Sequence, residues 1–164
     1  MNSLCRTVSS FLVLLSTAAF AQSDTHAAFE KLKSLQGSWA GKAMQARDVQ
    51  VSFRVTSGGS AVMSEVLAED NMISMFHMDG DRLLMTHYCG AGNQPRMVGS
   101  VSPDGKTITF KFLDATNLLS TQPGHMERLV VTLVDANHHS EEWAFKTQDG
   151  KLVQHELFDL QRTK

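Results

Sequence analysis

A two-residue alternation of apolar and polar side chains runs through most of the chain after residue 38, and it constrains the fold more than any other feature. Clear examples are residues 49–55 (VQVSFRV), 107–112 (TITFKF) and 142–146 (EWAFK). A period of two is typical of antiparallel strands that bury one face and expose the other to solvent. The sequence therefore predicts an all-β fold.

Short turn signals separate these alternating runs. They are Ser57-Gly58-Gly59 and three Asp-Gly pairs that begin at residues 79, 104 and 149. Asp-Gly between alternating runs is a strong hairpin signal, because tight hairpin turns need positive φ angles. We expect roughly ten strands at 38–45, 48–57, 60–67, 71–78, 81–89, 95–102, 106–113, 127–135, 138–147 and 151–161.

A meander of this length favours closure, since an up-and-down barrel removes both exposed edges. We therefore predict a ten-stranded antiparallel up-and-down barrel, with a two-sheet sandwich as the alternative. A barrel of this size holds one small ligand between its inner faces. The one long connection, residues 114–126, is a candidate lid or plug at one mouth.

The first 21 residues have the pattern of a cleaved secretory signal peptide. Arg6 precedes an apolar run at 11–20, and Ala19-Phe20-Ala21 forms an A-x-A cleavage site. The run is shorter than the roughly 20 residues that a membrane span needs. We expect a single domain over 22–164 that is periplasmic or secreted and has no membrane span. A short helix is predicted at 25–36, with Phe29, Leu32 and Leu35 at helical spacing.

The net charge and the cysteine content limit which binding partners and which disulfides can be expected. The formal net charge is −2 for the whole chain, and it becomes −3 when the single base of residues 1–21 is removed. No basic patch indicates a nucleic-acid partner. Cys89 is the one cysteine left after cleavage, so no intrachain disulfide is expected. A lone cysteine of this kind usually packs as a small hydrophobic residue.

One motif carries a family resemblance. Residues 29–41 read F-x-x-L-x-x-L-x-G-x-W-x-G, which resembles the start of the calycin barrels: lipocalins, fatty-acid-binding proteins and nitrobindin-like haem barrels. The chain is most similar to uncharacterised secreted bacterial lipocalin-like proteins, through HMDGDRL (77–83), THYC (86–89) and NQPRM (93–97). The resemblance implies that Trp39 packs across the closed end of a lipocalin-like barrel. It also raises haem as a possible cofactor, with His87 or His155 as the ligand.

The hairpin around Asp79-Gly80 supplies the first candidate ligand-binding residues. With these two residues at the turn, Phe76 and Met85 share an apolar, inward face with His87. A polar group on an apolar concave wall is typical of a small-molecule pocket. The alternative is that His87 is a core histidine satisfied by a neighbouring side chain.

The segment 89–97 (CGAGNQPRM) supplies the other candidate ligand-binding residues. Asn93, Gln94 and Arg96 could bind the head group of a ligand, because an Arg fork binds carboxylates well. The alternative is a loop whose polar side chains bond its own backbone. Tyr88 is a further candidate, although its strand parity is opposite to that of His87.

These features together predict a protein that binds a small apolar or amphipathic ligand inside the barrel. Six of the eight Met residues after the signal peptide fall between Met63 and Met97, and Met suits adaptable apolar surfaces. The alternatives are a haem or metal carrier and a small-barrel isomerase or cyclase. We expect a binding protein rather than an enzyme, because His87 and Cys89 have no third group to orient them. We predict no metal site, and we interpret His138-His139 as part of a solvated turn.

Overall fold

The computed structural model describes the backbone of residues 17–67 and 71–163, and the side chains of those ranges from residue 24 onward except at 154 and 155. Within these ranges one α-helix precedes ten strands, as predicted, although the helix begins at residue 17 rather than 25, and two 3-10 helices (Met44–Ala46 and Ser57–Gly59) lie between the first three strands. They are α1 (Thr17–Ser34), β1 (Gly37–Lys42), β2 (Asp48–Thr56), β3 (Ala61–Leu67), β4 (Met72–Asp79), β5 (Arg82–Tyr88), β6 (Gln94–Val101), β7 (Thr107–Thr116), β8 (Gly124–Asp135), β9 (His138–Thr147) and β10 (Leu152–Arg162). No helix in the described ranges is long and apolar enough to cross a membrane. The predicted signal peptide, residues 1–21, lies mostly outside these ranges and stays a prediction.

The ten strands form a closed antiparallel barrel, so the prediction of a barrel rather than a sandwich is confirmed. Each strand pairs with the next along the chain, and β1 pairs with β10 to close the sheet. Gly41 faces Leu160 across this seam, and a Cβ atom at position 41 would lie 1.7 Å from the carbonyl oxygen of Asp159. The closing strands therefore approach each other at a point that tolerates only glycine.

Helix α1 covers one end of the barrel, which we call the closed end. Its Leu32 and the following Leu35 are buried, and the Trp39 indole nitrogen donates a hydrogen bond to the Leu35 carbonyl at 2.7 Å. The guanidinium of Arg162 lies 4.2 Å from the centre of the Trp39 ring. Trp39 is 1% exposed. It thus packs across the closed end, as the calycin resemblance implied.

The hairpin between β4 and β5 corrects the predicted register. Gly80 and Asp81 are the two central turn residues, with φ +58° at Gly80, so Asp79 faces Arg82. A turn centred on Asp79-Gly80 would have put Phe76 opposite Leu83, and this expected pairing was wrong because the glycine occupies the first central position instead of the second. The pairing moves by two residues and so leaves every side chain on its predicted face. Phe76 now faces Met85, and both are buried inside the barrel.

Two other expectations change at the strand ends. Strands β7 and β8 extend further than expected, which shortens the long connection to residues 117–123. The interpretation of His138-His139 as a solvated turn was wrong, because the turn residues are Ala136 and Asn137 and both histidines belong to β9. His139 is completely buried.

Candidate functional site

The end of the barrel opposite α1, which we call the open end, contains a mostly apolar cavity of about 350 Å³. This volume lies in the range of small-molecule pockets, roughly 300–1,000 Å³. We call it the mouth cavity, and its lining residues are Met72, Cys89, Gly90, Ala91, Pro123, Met126 and Phe145.

A second, much smaller cavity lies deeper in the barrel. Its volume is about 10 Å³, which is about enough for a single water molecule. We call it the inner cavity, and its lining residues are Val66, Met72, His87, Met126, Trp143, Glu156 and Phe158. Met72 and Met126 line both cavities, so these two flexible side chains separate the inner cavity from the mouth.

His87 is the predicted ligand-binding residue that reaches this site. It is 1% exposed, and its Nδ1 lies 3.0 Å from the Ser74 hydroxyl directly opposite on β4. Its ring is tilted against Trp143, with 4.8 Å between the ring centres. His87 is thus a hydrogen-bonded core histidine that also lines a cavity, and its contact with a ligand stays a prediction.

Glu156 is the charged residue of this site that sequence reasoning missed. Its Oε1 accepts a hydrogen bond from the Arg47 guanidinium, whereas its Oε2 is buried and has no hydrogen-bond partner among the described residues. Phe158 and Leu160 are buried at the next two inward positions of β10, so period two alone would have placed Glu156 inside. A bulge between Gln154 and Glu156 interrupts that alternation and obscures the signal.

A second polar cluster lies along β9, on the inward face that also carries Trp143. The Trp143 indole nitrogen donates to Glu141 Oε2 at 3.0 Å, and His139 Nε2 lies 3.4 Å from Glu141 Oε1. The His139 ring meets the Trp39 ring edge to face at 4.3 Å. A line of polar side chains therefore runs inside the barrel from the closed end to the inner cavity.

Asn93 and Gln94 hold the rim of the open end together. Asn93 is fully buried, and its Nδ2 donates to Gln122 Oε1 at 3.1 Å and to the Gly124 carbonyl at 2.8 Å. Gln94 accepts a hydrogen bond from Thr116 at 2.9 Å. The local backbone bond that the alternative expected is present at Gln94, whose Nε2 donates to the Gly92 carbonyl at 3.4 Å, whereas the partners of Asn93 lie 29 and 31 residues away in the chain. Neither of them lines the mouth cavity or the inner cavity.

Arg96 and Tyr88 lie on the outside of the barrel. Arg96 binds Asp114 through two hydrogen bonds, one of them 2.6 Å from Nε to Oδ1. The hydrogen bond and positive charge of Arg96 hold the pKa of Asp114 below its ordinary value. Tyr88 is 50% exposed. Both side chains lie away from the two cavities, so the ligand contacts expected of them stay predictions.

The remaining predicted residues are part of the packed interior or the mouth. Phe76 and Met85 are buried in the core beside Phe110, whose ring centre is 5.3 Å from that of Phe76. They line neither cavity. Cys89 is partly buried in the wall of the mouth cavity, and this burial raises the pKa of its thiol.

The space beside the His87 ring is small compared with a haem. The space beside its ring is about 10 Å³, whereas a ligand as large as haem needs a pocket of roughly several hundred Å³. The side chain of His155, the other predicted haem ligand, lies outside the described residues. Among the described side chains, no three His, Cys, Asp or Glu residues come together in a metal-binding group.

Comparison with known proteins identifies relatives of the fold. No protein-family model matches the chain, and no curated protein matches it. Among solved structures, the chain is similar to Rv2717c of M. tuberculosis, with 19% identity, a TM-score of 0.58 and coverage of 84% of this chain and 98% of that one. It is also similar to a DUF3598-family protein of unknown function from Nostoc punctiforme, with 14% identity and a TM-score of 0.54.

The second match covers 80% of this chain but 49% of the Nostoc protein, so the chain spans about half the length of that relative. At identities below one fifth, the structural similarity shows a shared fold and does not transfer a function. The chemistry of this protein must therefore be inferred from its own cavities.

Proposed function

We propose that this protein binds a small apolar or amphipathic molecule through the open end of its barrel. The observation that carries the proposal is the pair of adjoining cavities that share Met72 and Met126 as a common wall. A largely apolar recess with a few convergent polar groups is the usual form of a small-molecule site.

The body of the ligand would occupy the mouth cavity, against Ala91, Phe145 and the two shared methionines. Unbranched Met side chains change rotamer at low cost, so Met72 and Met126 can move aside and join the inner cavity to the mouth. One end of the ligand would then reach His87 and Glu156. This proposal keeps His87 from the sequence predictions and does not include Arg96.

We further propose that the protein acts outside the cytoplasm, as a periplasmic or secreted carrier. The support is the signal-peptide pattern of residues 1–21, with its apolar run and A-x-A site. The closed barrel of β1 to β10 is a form that can hold one small molecule between its inner faces.

Two tryptophans at different depths of the barrel provide the test. Trp143 lines the inner cavity, whereas Trp39 lies at the closed end. We expect titration with 1-octanol to shift the indole N–H signal of Trp143 in a ¹H–¹⁵N NMR spectrum and to leave that of Trp39 in place. Absence of a Trp143 shift at millimolar octanol would contradict the proposal.

A pair of variants locates the binding site. Ala91→Phe places a ring in the mouth cavity, and we expect it to weaken octanol binding at least about ten-fold, since it fills the space the ligand needs. Leu113→Phe adds a ring on the exposed outer surface and should leave the affinity unchanged. Equal effects of the two variants would remove the mouth cavity from the proposal.

The two other functions inferred from the sequence give distinct results on the same protein. A haem carrier purified from its native host would show a strong visible absorption band. An isomerase or cyclase would convert a captured ligand, and native mass spectrometry followed by chemical analysis of the released molecule would detect the product. A colourless adduct that is released unchanged is the result expected for a carrier.

A further inference from the structure

The unpaired carboxylate oxygen of Glu156 indicates which kind of head group the inner cavity accepts. Buried polar atoms in folded proteins nearly always have a hydrogen-bond partner, because an unpaired one costs free energy. Glu156 Oε2 is buried and has no such partner among the described residues, although Glu156 is part of the cavity wall. An ionised carboxylate oxygen accepts hydrogen bonds and donates none, so the missing partner must be a donor.

The other oxygen of Glu156 is already occupied. Oε1 pairs with Arg47, whose side chain is 58% exposed, whereas the Glu156 side chain is 18% exposed. The Arg47 contact thus anchors the carboxylate from the solvent side and leaves Oε2 for the interior. This arrangement fixes the direction from which a ligand can approach.

The rest of the inner cavity favours a positively charged donor. Trp143 and Phe158 contribute aromatic rings to the lining, and a cation is attracted to the face of an aromatic ring. The imidazole of His87 and the apolar side chains of Val66, Met72 and Met126 complete the lining. A ligand carboxylate in this space would lie close to the charge of Glu156 in a low-dielectric environment, where like charges repel strongly.

We propose that the ligand carries a protonated amine, which Glu156 binds in the inner cavity while the apolar chain of the ligand extends past Met72 and Met126 into the mouth cavity. This assignment rests on the binding function proposed above and specifies its ligand class. It predicts the opposite preference from the carboxylate binding inferred for Arg96 from the sequence.

Three ligands with the same eight-carbon chain test the assignment: octylamine, 1-octanol and octanoate, titrated calorimetrically into the full chain at pH 7.5. We expect octylamine to bind about ten- to a hundred-fold more tightly than octanoate, as a hydrogen bond to a charged group implies, with octanol between them. Octanoate binding as tightly as octylamine, or more tightly, would overturn the assignment.

Glu156→Gln removes the charge and keeps the shape of the side chain. We expect it to weaken octylamine binding about ten-fold and to change octanol binding by less than about three-fold. Glu142→Gln is the matched control, because Glu142 pairs with Arg128 at the outer surface of β9. It removes the same charge from the protein and should leave all three affinities unchanged, whereas an equal loss of octylamine binding in both variants would indicate nonspecific attraction and refute the assignment.

The outcomes separate this inference from the function on which it rests. Equal binding of all three ligands would leave the proposed pocket in place and refute the amine preference. No binding of any of the three would refute the proposed function itself. If Glu156→Gln does not fold, Arg47→Gln serves instead, because it removes the competing cation and should increase the preference for octylamine over octanoate. An unchanged or smaller preference in that variant would contradict the proposal.

Discussion

The indole nitrogen of Trp143 donates a hydrogen bond to Glu141 Oε2 at 3.0 Å, inside a barrel whose wall is otherwise mostly apolar. Glu141 is 2% exposed, and its other oxygen lies 3.4 Å from His139. Burying a carboxylate is costly unless hydrogen bonds or an opposite charge compensate it. The two contacts therefore hold Glu141 in place and orient Trp143, whose ring forms part of the inner cavity.

Glu141→Ala tests how much the hydrogen bond between Trp143 and Glu141 contributes to stability. We expect the free energy of unfolding to fall by about 3 kcal/mol, because the variant leaves the Trp143 N–H without its acceptor and opens space in the core. Urea unfolding measures the loss. Glu142→Ala, the next residue, removes a surface ion pair with Arg128 and should cost less than about 1 kcal/mol. Similar losses for the two variants would show that the Glu141 cluster has no special role.

Trp39→Ala tests the closed end of the barrel. Trp39 bonds the Leu35 carbonyl and packs against Arg162 and His139. We expect its truncation to lower the free energy of unfolding by about 3–5 kcal/mol, as for other large buried aromatic residues. Thermal denaturation followed by circular dichroism provides the measurement. A variant that melts at the wild-type temperature would contradict the assignment of Trp39 to the closed end.

Arg96→Ala separates an outer ion pair from a ligand contact. The pKa of Asp114 is lowered by Arg96, so the pair stabilises the fold above about pH 4 and loses this effect as the pH falls through the lowered pKa. We expect the variant to melt at a lower temperature than wild type at pH 7, and this difference to shrink in acid. Its affinity for each of the eight-carbon ligands should not change. A ten-fold loss of octanoate binding would show that Arg96 contacts the ligand.

Cys89 reports on the mouth cavity through its reactivity. Burial raises the pKa of its thiol, and the thiolate is the reactive form, so we expect slower alkylation by iodoacetamide at pH 7 than for glutathione. The rate should still be rising at a pH where the rate of glutathione has levelled off, and bound octanol should slow it further. A Cys5→Ser background leaves Cys89 as the one thiol to be followed. A rate equal to that of glutathione would contradict both the burial and the raised pKa.

The fold was predictable because two local signals, the period-two alternation and the turn residues between the alternating runs, agree along most of the chain. Period-two alternation placed Phe76, Met85 and His87 on the inner face, and this assignment held even though the hairpin register was wrong. The register error moved the pairing by an even number of residues, so no side chain changed sides. Ten regularly spaced strands then favoured a closed barrel, because closure leaves no strand edge unpaired.

The candidate site was less predictable, because cavity volume and charge placement depend on packing across the barrel. The side chains of Asn93 and Arg96 are of types that bind ligand head groups. In the structure, however, they bond Gln122 and Asp114 instead. These partners are 29 and 18 residues away in the chain, and spacing alone does not identify them. Glu156 and Glu141 were overlooked for the opposite reason, since charged residues usually face solvent and both of these face inward.

Because β1 pairs with β10, the barrel can close only after the last strand has been synthesised. The backbone nitrogen of Thr163 donates to the Ser38 carbonyl at 2.8 Å, across 125 positions of the chain. A nascent chain therefore has two unpaired strand edges, on β1 and on the latest strand made, until β10 leaves the ribosome. Exposed strand edges invite pairing with other chains. Such a chain is most vulnerable to aggregation just before its last strand is complete.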